Sequence, residues 1–264
     1  MKPYQLYFPI VLALVMVSTA ATGSELEQGI KWYEKHVEYV NLEDVSVNPE
    51  PFDTAIKHFE QALDNAETGK EAGRYLLHTY YLKGTYAVDS AEAKQEIFAK
   101  GKKLGERLIE KYPDNVDFHI LYAANLGRWG EAYGIVSAAR EGVAGTIRKE
   151  GERVIELDET AQGAAGYRIL AQVHHKAPNI PFVLNWPSTR KALDYLRKAL
   201  KIAPDHPANN ALYGKYLHYQ GKTEEALEYL RKTANMSPRK QPPYLLDDAR
   251  YISMAKDLLE EISS

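Results

Sequence analysis

The side chains able to do chemistry are few and poorly spaced for it. His174-His175 is the only histidine pair in the chain. Adjacent helical residues point about 100° apart, so the two rings do not converge on one metal, and no carboxylate stands at the spacing a zinc-binding helix uses. A glycine-rich phosphate loop, a Gly-x-Ser-x-Gly elbow and a His-Glu-x-x-His helix are all missing from the sequence. The acid pairs Glu224-Glu225, Asp247-Asp248 and Glu260-Glu261 fall at helix starts or at the end of the chain. Solvent there accepts charge, and at a helix start the dipole favours it, so these pairs read as solvated groups. Catalysis would have to rely on tyrosine, histidine and carboxylate near His174 and His175. The expectation is a chain that is not an enzyme and holds no cofactor and no metal.

Recognition is better supplied. There are 19 tyrosines against 6 phenylalanines. Tyr75, Tyr80, Tyr81, Tyr122, Tyr133, Tyr167, Tyr213, Tyr216 and Tyr219 fall mainly on the first helices of helical hairpins. A tyrosine offers a flat apolar face and one hydroxyl, which suits a half-wet groove. The competing reading is that many fill the core with their hydroxyls at its edge. For Tyr219, with Lys215 and His218 on the same face, binding is the stronger reading.

Asn125-Leu-Gly-Arg-Trp129 reads as a first helix ending at Gly127. Arg128 and Trp129 then either anchor an interface or cap the helix and plug the hairpin. The apolar segment 177–188 carries Pro178, Pro181 and Pro187, which forbid a helix. Such a loop is either packed into a groove or used for contact. The candidate ligand- or partner-binding residues are therefore Asn125, Arg128, Trp129, Tyr133, His174, Pro181, Trp186, Lys215, His218 and Tyr219.

The elements that must position these residues repeat. Lys191-Ala-Leu-Asp-Tyr-Leu-Arg-Lys-Ala-Leu-Lys-Ile-Ala-Pro204 returns as Glu225-Ala-Leu-Glu-Tyr-Leu-Arg-Lys-Thr-Ala-Asn-Met-Ser-Pro238. The offset of about 34 residues is the period of the tetratricopeptide hairpin. One hairpin cannot bury its apolar face alone, so hairpins stack into a superhelix with a concave side. Helices are expected to begin near Glu25, Phe52, Lys70, Asp89, Val116, Glu131, Thr160, Pro187, Pro207, Thr223 and Leu246.

Gly221 should make a tight turn. Gly214, facing Ala226, should let two helices approach, as should the pairs Gly101/Gly105 and Gly142/Gly145. Residues 247–262 form an amphipathic helix with Tyr251, Met254, Leu258 and Leu259 on one side, suited to covering the last repeat. The fold class is all-α: a tetratricopeptide-type α-solenoid with a C-terminal capping helix, one domain over 25–262.

Residues 1–21 have the layout of a cleavable signal peptide. Lys2 precedes an apolar run from Leu6 to Val17, and small residues follow with cleavage sites at Thr19-Ala20-Ala21 or Ser18-Thr19-Ala20. The run is shorter than the roughly 20 apolar residues that span a bilayer. The expected location is periplasmic or secreted, without stable membrane insertion after cleavage. The chain has no cysteine, hence no disulfide, thiolate nucleophile or lipid attachment through that residue. A formal net charge of −3 excludes the strongly basic field of nonspecific nucleic-acid binders.

Four motifs resemble, in order, a known family: Asn125-Leu-Gly-Arg-Trp-Gly-Glu-Ala-Tyr-Gly-Ile135, Val154-Ile-Glu-Leu-Asp158, Lys176-Ala-Pro-Asn-Ile-Pro181 and Ala203-Pro-Asp-His-Pro-Ala-Asn209. They are similar to the T-component of TRAP-type transporters, which shares its repeat layout with the animal regulators of microtubule dynamics. The likeness runs from about Tyr75 to Ile262. It implies a periplasmic helical-repeat protein working beside a solute-binding protein, with a pore or groove for small apolar ligands and no catalysis. The expected function is thus binding of a protein partner or a small apolar ligand in the concave groove, as an accessory to solute uptake or, alternatively, as a scaffold for an envelope complex.

Overall fold

Each hairpin is delimited by residues that end one helix and start the next. The computed structural model describes residues 24–178 and 184–264. The expected signal segment and Pro181 lie outside the described residues. Helix α1 covers 24–35, followed by a short 3-10 turn, His36–Tyr39, and a two-residue antiparallel ribbon of Val40–Asn41 with Ser46–Val47. Then come α2 (Glu50–Ala62), α3 (Gly69–Tyr86), α4 (Ala91–Lys111), α5 (Val116–Tyr133), α6 (Ile135–Arg140), α7 (Val143–Asp158) and α8 (Ala161–Lys176). The chain finishes with α9 (Thr189–Ile202), α10 (Pro207–Tyr219), α11 (Thr223–Ala234) and α12 (Leu245–Ser263). The all-α solenoid is what the repeat implies.

Local chemistry sets the starts. Ser90, Asn115 and Ser188 each accept the backbone N–H three residues on, at 3.1, 3.1 and 3.4 Å, which satisfies an amide left unpaired at a helix N-terminus. Pro207 opens α10, where its missing N–H costs nothing.

Two boundaries differ from the sequence reading. Helix α5 does not end at Gly127, and no helix starts at Glu131; α5 runs on to Tyr133. Buried Leu126 and Trp129 hold the helix across its glycines, offsetting a propensity cost of about 1 kcal/mol each. The break comes at Gly134, whose φ of +85° only glycine adopts readily. Likewise Gly142 and Gly145 are not a close-packing pair. Gly142 is a left-handed N-cap at φ +65°, and a Cβ at either position would meet nothing within 4 Å.

Where glycine does permit close approach, the facing side chains are specific. A Cβ on Gly101 would sit 2.1 Å from Asn125 Oδ1, one on Gly105 2.5 Å from Tyr122, and one on Gly214 2.9 Å from Leu230 and 3.2 Å from the Ala226 carbonyl oxygen. The duplicated segment buries Ala192, Leu196, Ala226 and Leu230 completely.

One core joins α1 to α5, and a second joins α9, α10 and α11. Helix α12 belongs to both. Tyr251, Ala255 and Leu258 pack into the second, covering the last repeat as expected, while Leu246 in its first turn is buried in the first. The two ends of the superhelix therefore meet.

Overfilling the α4/α5 contact should be costly. Gly105→Val should destabilise by about 1–3 kcal/mol through overpacking against Tyr122. In a thermal melt this reads as about 2–4 °C per kcal/mol for a chain of this size.

Candidate functional site

The meeting of the two ends is a polar clasp. From the first turn of α12, Asp247 Oδ1 accepts the Tyr81 hydroxyl at 2.8 Å and also the hydroxyl of Tyr86, both from the last turns of α3. Burial alone would raise the Asp247 pKa; Arg250, the two tyrosine hydrogen bonds and His78 together hold it below its ordinary value. Asp248, 2% exposed, is occupied separately: Arg239 donates to it through Nε at 2.7 Å, Nη2 at 2.8 Å and its backbone N–H at 3.1 Å. The sequence reading of this acid pair as solvated is thus corrected. Both carboxylates are held by donors from other segments.

Closing the ends turns the concave side into a cavity of about 690 Å³, within the range of small-molecule sites. Its apolar lining is built by Ile120, Leu121 and Ala124 of α5, Ile135 and Ala138 of α6, Val143 and Ile147 of α7, and Ala165, Ile169 and Val173 of α8. Ile135 lines the cavity while 61% exposed, and its neighbour Val136 is 62% exposed. Helix α6 therefore stands at the opening.

The cavity also carries charge, from α5 and α8 as well as from α3 and α12. Arg74, Arg128, Arg168, Lys176, Arg239 and Arg250 line it, against Asp117, Glu131, Asp247 and Asp248. The cations outnumber the acids although the whole chain has a net charge of −3. Glu131 is taken by Arg128 at 2.8 Å and Lys176 at 2.5 Å; against the opposing effect of burial these cations pull its pKa down to about 2.

Arg168 is spent on backbone. It donates to the carbonyls of Gln162 (2.7 Å) and Gly163 and to Asn209 Oδ1 at 3.1 Å. Those carbonyls belong to a left-handed turn, Gln162, Gly163 and Ala164, at φ 46°, 66° and 69°, a conformation that side chains other than glycine pay to adopt. Desolvation lowers the Arg168 pKa to about 10.

Arg250 is different. Its Nε is buried with no hydrogen-bond partner, and its nearest carboxylate oxygen, on Asp247, is 3.8 Å away. The cavity's histidines are kept neutral. Burial lowers His206 to about 2, helped by Arg168 and Arg239, and lowers His78 to about 4. The Tyr33 hydroxyl and His78 Nδ1 are hydrogen-bonded at 2.9 Å.

Of the residues singled out by sequence, Arg128 lines this cavity. Asn125 is fully buried, and its amide donates to the Leu77 and Leu121 carbonyls at 3.0 and 2.9 Å; it locks α5 to α3 rather than facing a ligand. Trp129 is 7% exposed, stacked on Tyr133 beneath the Lys102 ammonium, so it plugs the hairpin. His174 is buried edge-on to Trp186 and against Tyr195, and its carbonyl accepts the Ser188 N–H at 2.9 Å. Together these fasten the end of the 177–188 segment.

Lys215, His218 and Tyr219 form a separate patch away from the cavity. Lys215 lies over Tyr219, Tyr219 stacks on His175, and His218 Nδ1 is 3.2 Å from Thr223 Oγ1. Of the tyrosines, Tyr80, Tyr122, Tyr213 and Tyr216 fill the core, while Tyr81 reaches the cavity. Arg168, Arg250 and Asp247 carried no motif. Among the described residues, no three His, Asp or Glu side chains are grouped as metal ligands, and no helix is long and apolar enough to cross a membrane.

No protein-family model matches the chain, and no curated protein matches it significantly. Among solved structures, it is similar to TTC0263, a thermophilic TPR protein of Thermus thermophilus: TM-score 0.55, 17% identity, 88% of this chain and 98% of that one. It also matches MamA at TM-score 0.48 and 16% identity, covering 80% of this chain and 88% of that one. At such identities the first likeness speaks to the fold, and it agrees with the repeat: the chain is a TPR-type helical solenoid.

Proposed function

We propose that this is a non-enzymatic, exported binding protein that holds a small, largely apolar ligand inside its closed superhelix. The observation that carries the reading is the cavity of about 690 Å³ whose lining includes apolar residues from α5, α6, α7 and α8. A partly enclosed, largely apolar hollow of this size suits a small molecule better than a macromolecule. His174 and His175 pack against different aromatic partners, Trp186 and Tyr216, which supports a non-catalytic reading over a histidine pair acting together.

A protein partner is the second element of the reading. Exposed Ile135 and Val136 at the opening favour a partner that docks there to deliver or receive the ligand. The resemblance to the TRAP T-component makes a solute-binding protein the natural candidate, and the Lys2 to Ser24 layout supports export. A general envelope scaffold would need neither the cavity nor its opening.

Nile red, a neutral dye that brightens in apolar surroundings, should bind saturably with one dye per chain. Gly127 lines the cavity, and a Cβ there meets only Ile147 at 3.7 Å. Gly127→Leu should therefore project into the hollow and weaken dye binding by about tenfold, roughly 1.4 kcal/mol, without lowering the melting temperature, since leucine is the better helix former. No saturable binding by the wild type would sink the ligand reading.

The clasp should also be needed. Asp247→Asn should cost about 1–3 kcal/mol by replacing the charged acceptor that two tyrosine hydroxyls share with a neutral amide. Hydrogen exchange should then quicken in the first turn of α12 and the last turn of α3 before elsewhere.

Acid should loosen the same contact. His78, facing Tyr33 and His36 near the N-terminus, Arg74 on its own helix, Asp117 and Asp247, has a folded pKa lowered from 6.5 to about 4. Its contribution is fully present above pH 6.5 and is lost as pH falls from there toward 4. Asp247, also lowered, loses its contribution only below its ordinary value of 3.8. Denaturant midpoints from pH 7 to 4 should fall, and His78→Phe should flatten the upper part of that decline.

A further inference from the structure

We infer that the ligand of this cavity is an amphiphilic oxyanion, an apolar chain ending in a carboxylate-like head, and that Arg250 holds the head. The inference rests on the ligand reading above and narrows it. Arg250 makes no hydrogen bond with any described residue; its Nε is buried and unpartnered, and the closest carboxylate oxygen is 3.8 Å away. A guanidinium has five N–H donors and cannot shed its charge. Only Nε is sealed off, however: the side chain is 31% exposed, so the rest of the guanidinium fork is open to the hollow that it lines. An oxyanion in the hollow would receive a forked pair of charge-assisted bonds.

The other charges do not remove this demand. Asp247 Oδ1 is already occupied by two tyrosine hydroxyls, Asp248 by Arg239, and Glu131 by Arg128 and Lys176. Arg168 binds carbonyls and an amide oxygen, which satisfy its donors without neutralising it. The lining therefore keeps a surplus of positive charge. Ile120, Ile147, Ile169 and Val173, which line the same hollow, offer no polar side-chain atom for a second head group. A neutral apolar ligand would seal Arg250 from water and replace none of its bonds. A cationic one would add like charge to the lining.

The shared chemistry is an oxyanion on an apolar chain; carboxylate and phosphate heads are its two sources. Decanoate, decyl phosphate, decanol and decylammonium would each be titrated against bound Nile red. Decanoate or decyl phosphate should displace the dye at least about tenfold more effectively than decanol, a charge-assisted preference of roughly 1.4 kcal/mol, and decylammonium least of all. The stronger of the two anions identifies the head.

Arg250→Gln should erase the preference for the anion while Nile red still binds, and Arg250→Lys should keep part of it. Equal displacement by decanol and decanoate, with the dye bound, would overturn the anionic head and leave the ligand reading intact. Failure of the dye and all four amphiphiles to bind would remove both. An Arg250→Gln protein that folds and still prefers decanoate would overturn the role of Arg250. Were that variant not to fold, the wild-type ratio of decanoate to decanol and its decline with added salt would decide the matter.

Discussion

A single carboxylate oxygen makes this solenoid a container. Asp247 is 166 residues from Tyr81 and 161 from Tyr86 in sequence, yet the three meet because successive hairpins curl far enough to bring α12 back to α3. An open superhelix would present its concave side to water as a groove. Once Asp247 is bonded and Leu246 is seated in the N-terminal core, that side becomes a partly enclosed hollow. The net gain from each hydrogen bond to a charged group is modest, about 1.5–3 kcal/mol, but removing one partner leaves the others desolvated and unpaired. The clasp is therefore more consequential when broken than its individual bonds suggest, and the apolar lining, the neutral histidines and the unbonded arginine all exist as features of the hollow only while it is shut.

The parts of the fold that obey local rules were legible in the sequence. The copied segments at 191–204 and 225–238 place Ala192, Leu196, Ala226 and Leu230 at buried positions by helical spacing alone, and Ser188 and Gly221 mark a start and a turn through their own chemistry. The boundary at Gly127 was misread because three glycines, 127, 130 and 134, lie close together. Only the tertiary burial of Leu126 and Trp129 decides that the helix passes the first two and breaks at the third. Gly142 and Gly145 show the reverse: a spacing that suits helix contact, with no helix opposite to contact.

The site was much less legible, for a physical reason. Sequence reasoning ranks aromatic and paired residues by their own character, and so it favoured Trp129, His174 and the Lys215, His218, Tyr219 group. Trp129 and His174 pack into aromatic clusters as core rings do, whereas Tyr219, 53% exposed, stacks on His175 away from the hollow. What lines the hollow is set instead by which residues face inward after closure. Arg250 is an ordinary helical arginine three residues beyond Asp247, and nothing local distinguishes it from an exposed ion pair. Asp247 itself looked like a solvated helix start until Tyr81 and Tyr86 arrived from the other end of the chain.

The two inward arginines answer different needs, and the contrast bears on why a protein would keep charge in such a place. Arg168 is explained by the fold. Gln162 and Ala164 are held in left-handed backbone that costs of order 1–3 kcal/mol each, and the guanidinium ties down the carbonyls of that turn while bonding Asn209 of α10. A lysine would lack the planar fork that reaches several acceptors at once. Arg250 serves the clasp by charge alone: from 3.8 Å it helps to keep Asp247 ionised, yet it bridges no turn and makes no hydrogen bond with the described residues. Its side chain is 31% exposed, so the donors that it does not use within the fold stay open to the hollow. Its retention beside an apolar hollow is the arrangement a binding site requires when part of the ligand is missing from the protein's own set of charges.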